Sequence, residues 1–346
     1  MRILLVSDAW APQVNGVVRT LQQVKRECEA LGHGVEVVSP EQFRTVPCPT
    51  YPEIRLAWRP GRAIGAQIAA WQPDAIHLAT EGPLGLAGRH QCLRRALPFT
   101  TSYHTRFPEY LNARFPVPLA AGYAAVRWFH RPSRAVMVAT RSIRRDLEAR
   151  GFLNVVDWSR GVDTELFRPD LEPALRLPRP VHLYVGRIAV EKNLEAFLSM
   201  PIGAGSKLVV GGGPQLPELR AGFPEVHFAG ARFGEDLARH YASGDVFVFP
   251  SRSDTFGLVL LEALGAGLPV AAYPVPGPLD VIGDSGCGVL DPDLARAAER
   301  ALAIPRPRCR AYALTFSWRR CAEQFLGNLH PVGSARDANP PRAAAE

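Results

Sequence analysis

Two acidic residues eight positions apart, Asp254 and Glu262, bracket a stretch whose character changes abruptly. Asp254 lies in a polar turn, Ser253-Asp254-Thr255, that runs into the step Phe256-Gly257. Glu262 lies inside LVLLEALGAG, where nearly every neighbour is apolar. A carboxylate there is expected to be buried, and a buried charge needs a partner or a function. A turn that opens a helix leaves backbone N–H groups unpaired, so residues 255–258 could receive an anionic or hydroxyl-rich ligand. A plainer alternative makes Asp254 an N-cap and Glu262 a solvated helical residue. Upstream, Arg187 and Lys192 in GRIAVEKNLEAFL flank a turn whose helix is expected to begin near Asn193. Two cations beside free helix N–H groups can clamp a diphosphate without a metal ion. In isolation, two surface cations around a loop would read the same way.

These residues need strands that end at one place and helices that start there. Val246–Phe249 predicts a strand before the acidic turn, and Leu258–Ala266 predicts a helix after it, ended by Gly265 and Gly267 with Pro269 preventing its return. The same rhythm opens the chain: strand Arg2–Ser7, helix Gly16–Leu31 and strand Val35–Val38 form a βαβ unit. Further strands are expected at Ala75–Leu78, Phe99–Ser102, Ala135–Ala139, Val181–Val185, Val226–Ala229 and Cys287–Leu290, with another opening KLVVGGGPQLPELR. Short, nearly continuous apolar strands alternating with helices predict an α/β chain built on parallel sheets. The first turn reads PQVNG, not GxGxxG, which disfavours a nicotinamide-dependent dehydrogenase. Gly211–Gly213 would let a nucleotide approach closely or would simply make a tight turn. SYHTRFPEY (Ser102–Tyr110) follows a strand end, where open α/β sheets place ligands. A histidine there, His104, can donate to a sugar hydroxyl or assist a leaving group, although a histidine without company is more often packed or on the surface.

With its continuation EALGAGLPV, the acidic pair resembles the sugar-nucleotide clamp of glycosyltransferase family 4, retaining enzymes of the GT-B fold. In that family two acids flank Phe-Gly; here the first is Asp254 where Glu is commoner. DAWAPQVNGVVRT, SYHTRFPEY and SDTFG are most similar to the branch that transfers mannose or sulfolipid sugars to lipids and envelope glycans, and GRIAVEKN resembles the family's pyrophosphate motif. The resemblance implies two Rossmann-like doubly wound domains facing across a cleft, with a C-terminal helix crossing back to the first. It implies that Glu262 binds ribose hydroxyls and that Arg187 and Lys192 stabilise charge on the departing diphosphate. Asp254, with the backbone of Phe256, Gly257 and Leu258, orients the sugar. His104 lies near the transferred sugar, Gly16 and Gly212 approach the donor, and Arg232 lies near the base. Asn15, Arg106 and Tyr110 are acceptor-side candidates. Gly16 fits a plain turn equally well. Retention through an oxocarbenium-like transition state is implied, with no identifiable covalent nucleophile. No cofactor or metal is expected.

Size agrees with this arrangement, because 346 residues exceed one ordinary α/β core and suit two. Domains are expected at 1–172 and 173–308, with a linker near the prolines 169, 173, 178 and 180, a crossing helix at 309–330 and a disordered tail at 331–346. The six cysteines lack metal spacing, and no apolar run approaches the length of a membrane span, so a reduced, cytoplasmic chain without a leader is expected. Net charge is +7, and residues 1–172 carry 22 Arg or Lys against 16 Asp or Glu. No nucleic-acid recognition motif accompanies this excess. An anionic membrane surface on the inner leaflet and ordinary solvated arginine both account for it. Mannose from GDP-mannose is the favoured donor, with a lipid or glycan acceptor. UDP-linked glucose, glucuronate or sulfoquinovose is the neighbouring choice. A non-catalytic sugar-nucleotide sensor is the rival from another class.

Overall fold

The computed structural model describes residues 1–48 and 51–333, apart from the side chains of residues 51–53, 110, 113 and 114. By its internal contacts the chain divides into two compact units. The first is Met1–Ser159 with the segment from Cys321, and the second is Arg160–Arg320.

The first unit contains β1 (Arg2–Val6), β2 (Gly34–Val38), β3 (Thr45–Cys48), β4 (Tyr51–Ala57), β5 (Ala75–Leu78), β6 (Thr100–Tyr103), β7 (Val136–Val138) and β8 (Val155–Asp157). Six of these form a parallel sheet in the order β2-β1-β5-β6-β7-β8. The antiparallel hairpin β3–β4 stands apart from it. Leu4, Val6, Ile76, Leu78 and Phe99 are fully buried between sheet and helices. Each such side chain contributes roughly 1.5–3 kcal/mol by leaving water.

The second unit contains β9 (Val181–Val185), β10 (Ser206–Val210), β11 (His227–Gly230), β12 (Val246–Phe249), β13 (Val270–Ala272) and β14 (Gly288–Leu290). They form one parallel sheet in the order β11-β10-β9-β12-β13-β14. The chain winds outward from β9 in one direction and then from β12 in the other. The crevice between the carboxyl ends of β9 and β12 is therefore a topological switch point, where doubly wound sheets hold ligands. In the first unit the equivalent point lies between β1 and β5.

Most expected strands fall within a residue or two of their observed ends. Four elements depart from expectation. The β3–β4 hairpin, β8 and β13 were not anticipated, because Pro47, Pro49 and Pro52 mask the hairpin and the three residues of β8 or β13 are too few to show a period. The helical stretch expected over 309–329 is two helices, Arg306–Ala313 and Trp318–Asn328. The break follows from a cap: Ser317 Oγ accepts from Arg320 N at 3.1 Å, starting a new helix. The boundary between units falls inside the second of these helices. The segment RGVDTELFRP belongs to the second unit, where the Arg310 guanidinium donates to Thr164 O, Phe167 O and Gly265 O at 2.7–2.9 Å. Residues 334–346, where a disordered tail was expected, lie outside the described residues.

Candidate active site

The switch point of the second unit is built by two loops. After β9, Tyr184 Oη donates to Arg187 O at 2.8 Å and fixes the start of the turn. A short 3-10 turn, Val190–Lys192, follows, and Asn193 with φ +53° turns the chain into the helix Leu194–Ser199. Asn193 suits that conformation because its short polar side chain tolerates the left-handed region and bonds locally. Here Nδ2 reaches Pro250 O at 3.1 Å, and Ser253 Oγ donates to Glu191 O at 3.3 Å, so the loops after β9 and β12 are stitched together. Across that seam Lys192 Nζ meets Asp254 Oδ1 at 2.5 Å, with both side chains about four-fifths buried (21% and 19% exposed). The other oxygen, Asp254 Oδ2, is buried with no donor among the described residues. A buried acceptor left unmatched costs free energy until something donates to it.

The helix Leu258–Gly265 begins beside this pair. Its N-cap is Gly257 at φ +82°, a residue that has no side chain of its own to cap the first N–H groups. The other end is closed: Gly267 N bonds Leu264 O at 2.9 Å and Leu268 N bonds Ala263 O at 2.8 Å, with Gly267 at φ +77°. Glu262, one turn in, is 4% exposed, and its Oε2 accepts from Tyr241 Oη at 2.8 Å. It is thus buried and partnered, as its apolar neighbourhood predicted. The glycine turn after β10 lies against the same loop: a Cβ on Gly211 or Gly213 would fall 1.8 Å from Gly186 O or 2.2 Å from Ile188 O. Gly212 carries no such constraint, the nearest atom being Ala231 Cβ at 3.7 Å. Arg232 is exposed and curls onto its own turn, donating to Ala229 O at 2.8 and 3.0 Å and meeting Asp236 at 3.3 Å. The structure therefore brings Arg187, Lys192, Asp254 and the glycine-capped helix start into one pair of loops, with Glu262 in the helix they lead to.

The remaining candidates belong to the first unit. His104 directly follows β6, with Nε2 2.8 Å from Ser102 Oγ and its ring edge-on to Trp158 at 5.6 Å. Arg106 lies 3.6 Å from both Glu109 and Asp146, within a cluster that includes Tyr123, whose hydroxyl donates to Glu109 at 2.6 Å. The side chain of Tyr110 lies outside the described residues. Asn15 caps the helix Gly16–Ala30: its Oδ1 accepts from Val17 N and Val18 N at 3.0 Å. Gly16, the first helical residue, accepts from Thr20 Oγ1 at 2.7 Å through its carbonyl.

A residue that motif reading passed over dominates the first switch point. Asp8, just past β1, is buried and accepts from Leu84 N at 2.9 Å, Gly85 N at 3.3 Å and Thr80 Oγ1 at 2.8 Å. It caps the helix Pro83–Arg94 from outside the local sequence. Burial pushes its carboxyl up from the usual range, against the downward pull of those donors. Its only sequence signal was an acid ending an apolar strand.

Of the basic residues in the first unit, Arg127 donates to Arg150 O at 2.7 Å, Arg144 meets Glu148 at 2.9 Å and Asp157 at 3.3 Å, and Arg150 meets Asp146 at 2.9 Å. Tyr123, Val126 and Phe129 face the core as expected, while Trp128 is 55% exposed under the guanidinium of Arg89. Among the described residues no helix is long and apolar enough to cross a membrane.

Comparison with known proteins agrees with this layout. The profile of Glycosyltransferase Family 4 matches residues 14–166, and that of Glycosyl transferases group 1 matches residues 179–304. The chain is 30% identical to a GDP-mannose-dependent alpha-mannosyltransferase of Mycolicibacterium smegmatis, over 96% of this chain and 98% of that one. It is 34% identical to the sulfoquinovosyl transferase SQD2 of Arabidopsis thaliana, over 81% of this chain and 60% of that one. In structure it is similar to a sucrose-phosphate synthase from Thermosynechococcus elongatus, with TM-score 0.74 and 22% identity, covering 94% of this chain and 97% of that one. The fold is GT-B, and the chain is a hexosyltransferase that belongs to glycosyltransferase family 4.

Proposed function

We propose that this enzyme transfers mannose from GDP-mannose to a lipid or cell-envelope glycan, with retention at the anomeric carbon. The observation that carries the donor site is the cation–carboxylate seam beside a helix start whose N-cap is glycine, at the switch point of the second unit. Arg187, Lys192 and the N–H groups after Gly257 bind the diphosphate and stabilise the charge that grows on it as the glycosidic bond breaks. They do so without a divalent metal. Lys192 leaves Asp254 for the phosphate, and Asp254 turns its oxygens to sugar hydroxyls. Glu262 binds the ribose, and Tyr241 holds its carboxylate in place. Gly212 lets the donor approach, Arg232 lies toward the base, and His104 contacts the transferred sugar. Asn15, Arg106 and Tyr110 lie on the acceptor side.

GDP-mannose is favoured because relatives so named match this chain end to end, as the mycobacterial enzyme does. A UDP-sugar donor is the second reading, supported by the similarity to the plant sulfoquinovosyl transferase. A lipid acceptor brings the enzyme to the inner face of the membrane, which the net charge of +7 favours. Incubation with radiolabelled GDP-mannose, UDP-glucose and UDP-glucuronate in the presence of a bacterial lipid extract tests this. The expected result is label in the lipid phase from GDP-mannose alone. Label from a UDP-sugar alone would replace the donor.

A further inference from the structure

Residues 110–145 hold seven arginines and no Asp or Glu. Within them the helix Leu119–His130 buries Gly122, Tyr123, Val126, Phe129 and His130 against the first unit. Its opposite face carries Leu119, Ala120, Ala121, Ala124, Ala125 and Trp128, all exposed, with no charge before Arg127. A surface helix ordinarily turns charged residues outward, as the nearby helix Arg141–Ala149 does with Arg141, Arg145 and Glu148. The chain enters Leu119–His130 through Phe115, Pro116 and Pro118, which are exposed as well. Phe115, Leu119 and Trp128 are 39–55% exposed. Single exposed apolar side chains need no explanation, but a run of them along one face marks a contact surface.

Trp128 is held in place by cations. Arg89 lies over its ring at 3.9 Å and donates to Trp128 O and Phe129 O at 3.0 and 3.1 Å. The helix of Arg89, Pro83–Arg94, adds the exposed Leu86 and Leu93, one turn to either side of that arginine. On the other edge stand the exposed Arg127 and Arg131. With Leu153, which is 63% exposed, and the buried His130 and Phe152, they line a cavity of about 220 Å³.

Aromatic and aliphatic side chains bordered by arginine match the boundary of a bilayer, where indole rings sit at headgroup depth and basic side chains meet lipid phosphate. A second copy of the chain fits less well. A two-fold contact would set this patch on itself and bring the arginines of both copies together, with no acid in residues 110–145 to separate them. We propose that the outward face of Leu119–His130, with Trp128 as its anchor and Arg131 at its edge, docks on an anionic phospholipid bilayer. The cavity beside it receives a headgroup phosphate. Why a bilayer matters to the enzyme rests on the lipid-acceptor reading; the face itself is built wholly within the first unit.

The test sediments full-length protein with phosphatidylcholine vesicles, alone or with about one third phosphatidylglycerol, in the absence of sugar nucleotide. Binding is expected to the anionic vesicles and to fall as salt rises. Arg131→Ala weakens it about fivefold, the share of one basic residue near such a surface. Trp128→Ser weakens it about tenfold, the value of returning half of a large apolar side chain to water. Arg144→Ala removes the same charge from the neighbouring helix, where Glu148 and Asp157 pair it, and changes binding less than about twofold. No binding to anionic vesicles, or an unchanged Trp128→Ser, overturns the proposal. Equal losses in Arg131→Ala and Arg144→Ala overturn it too, because net charge would then be the whole cause. A dimer in solution that Trp128→Ser dissolves would assign the face to a second copy instead. Should Trp128→Ser fail to fold, the comparison of Arg131→Ala with Arg144→Ala decides. Mannose transfer to detergent-dispersed lipid without vesicle binding would sink the docking face and leave the transfer reading standing; vesicle binding without transfer would do the reverse.

Discussion

The two switch points of this molecule start from the same topology and end in opposite states. Between β1 and β5 the helix Pro83–Arg94 finds its first N–H groups already taken by Asp8, which Thr80 also holds. Between β9 and β12 the helix Leu258–Gly265 starts at Gly257, which has no side chain, and the nearby carboxylate of Asp254 is bound to Lys192. A helix N-terminus is an anion site by default, and what distinguishes the two is whether the protein supplies the anion itself. The first switch point is satisfied internally and serves stability. At the second, we propose, a ligand supplies the anion.

The largest effect should come from the second site. Lys192→Ala is expected to slow transfer by about 10²- to 10³-fold, the usual cost of removing one preorganised donor, or roughly 2.7–4 kcal/mol in the barrier. Steady-state kinetics on the purified enzyme check it. A loss below about threefold would mean that the cation is not aimed at developing charge. Next comes the buried carboxylate one turn into the helix. Glu262→Ala removes the acceptor of the buried Tyr241–Glu262 hydrogen bond and is expected to cost about 1–3 kcal/mol of stability, while Glu262→Gln keeps an acceptor and stays near wild type. Urea midpoints of the two variants separate these outcomes.

At the closed site, Asp8→Ala is expected to destabilise by about 1–2 kcal/mol through the lost cap, with nucleotide affinity unchanged. If Asp8→Ala weakened nucleotide binding as Lys192→Ala does, the contrast between the two sites would collapse. The smallest effect concerns pH. Because the Asp8 carboxyl is raised in the folded state, the fold binds its proton more tightly than the unfolded chain. Stability from this group is therefore greatest at low pH and is lost as pH rises from the ordinary carboxylate range through the raised value. Asp8→Asn should flatten that slope, which urea titrations across the acidic range would show.

The loops proposed to hold the donor were legible in the sequence because each of their features has a local signature. A charged residue in an apolar helix, a glycine before it and cations around a βα turn are all visible in a window of ten residues. Asp8 and Ser102 were not legible as partners, since their bonds span the fold. Asp8 reaches residues 80–85, and Ser102 meets His77 and Ala79, more than twenty positions away. Short strands suffered similarly: β13 has three residues, and its pairing with β12 and β14 gives it a place that no periodicity could announce. Asn15 shows the opposite case. Its place before a helix is local, and its capping bonds to Val17 and Val18 are the ordinary use of an asparagine there.

Calorimetric titration of GDP into the enzyme with EDTA present tests the central claim most directly. The account predicts saturable binding without any divalent ion, weakened at least about tenfold in Lys192→Ala. Binding of neither GDP nor UDP, binding only when a divalent ion is restored, or equal affinity in the two proteins would contradict it.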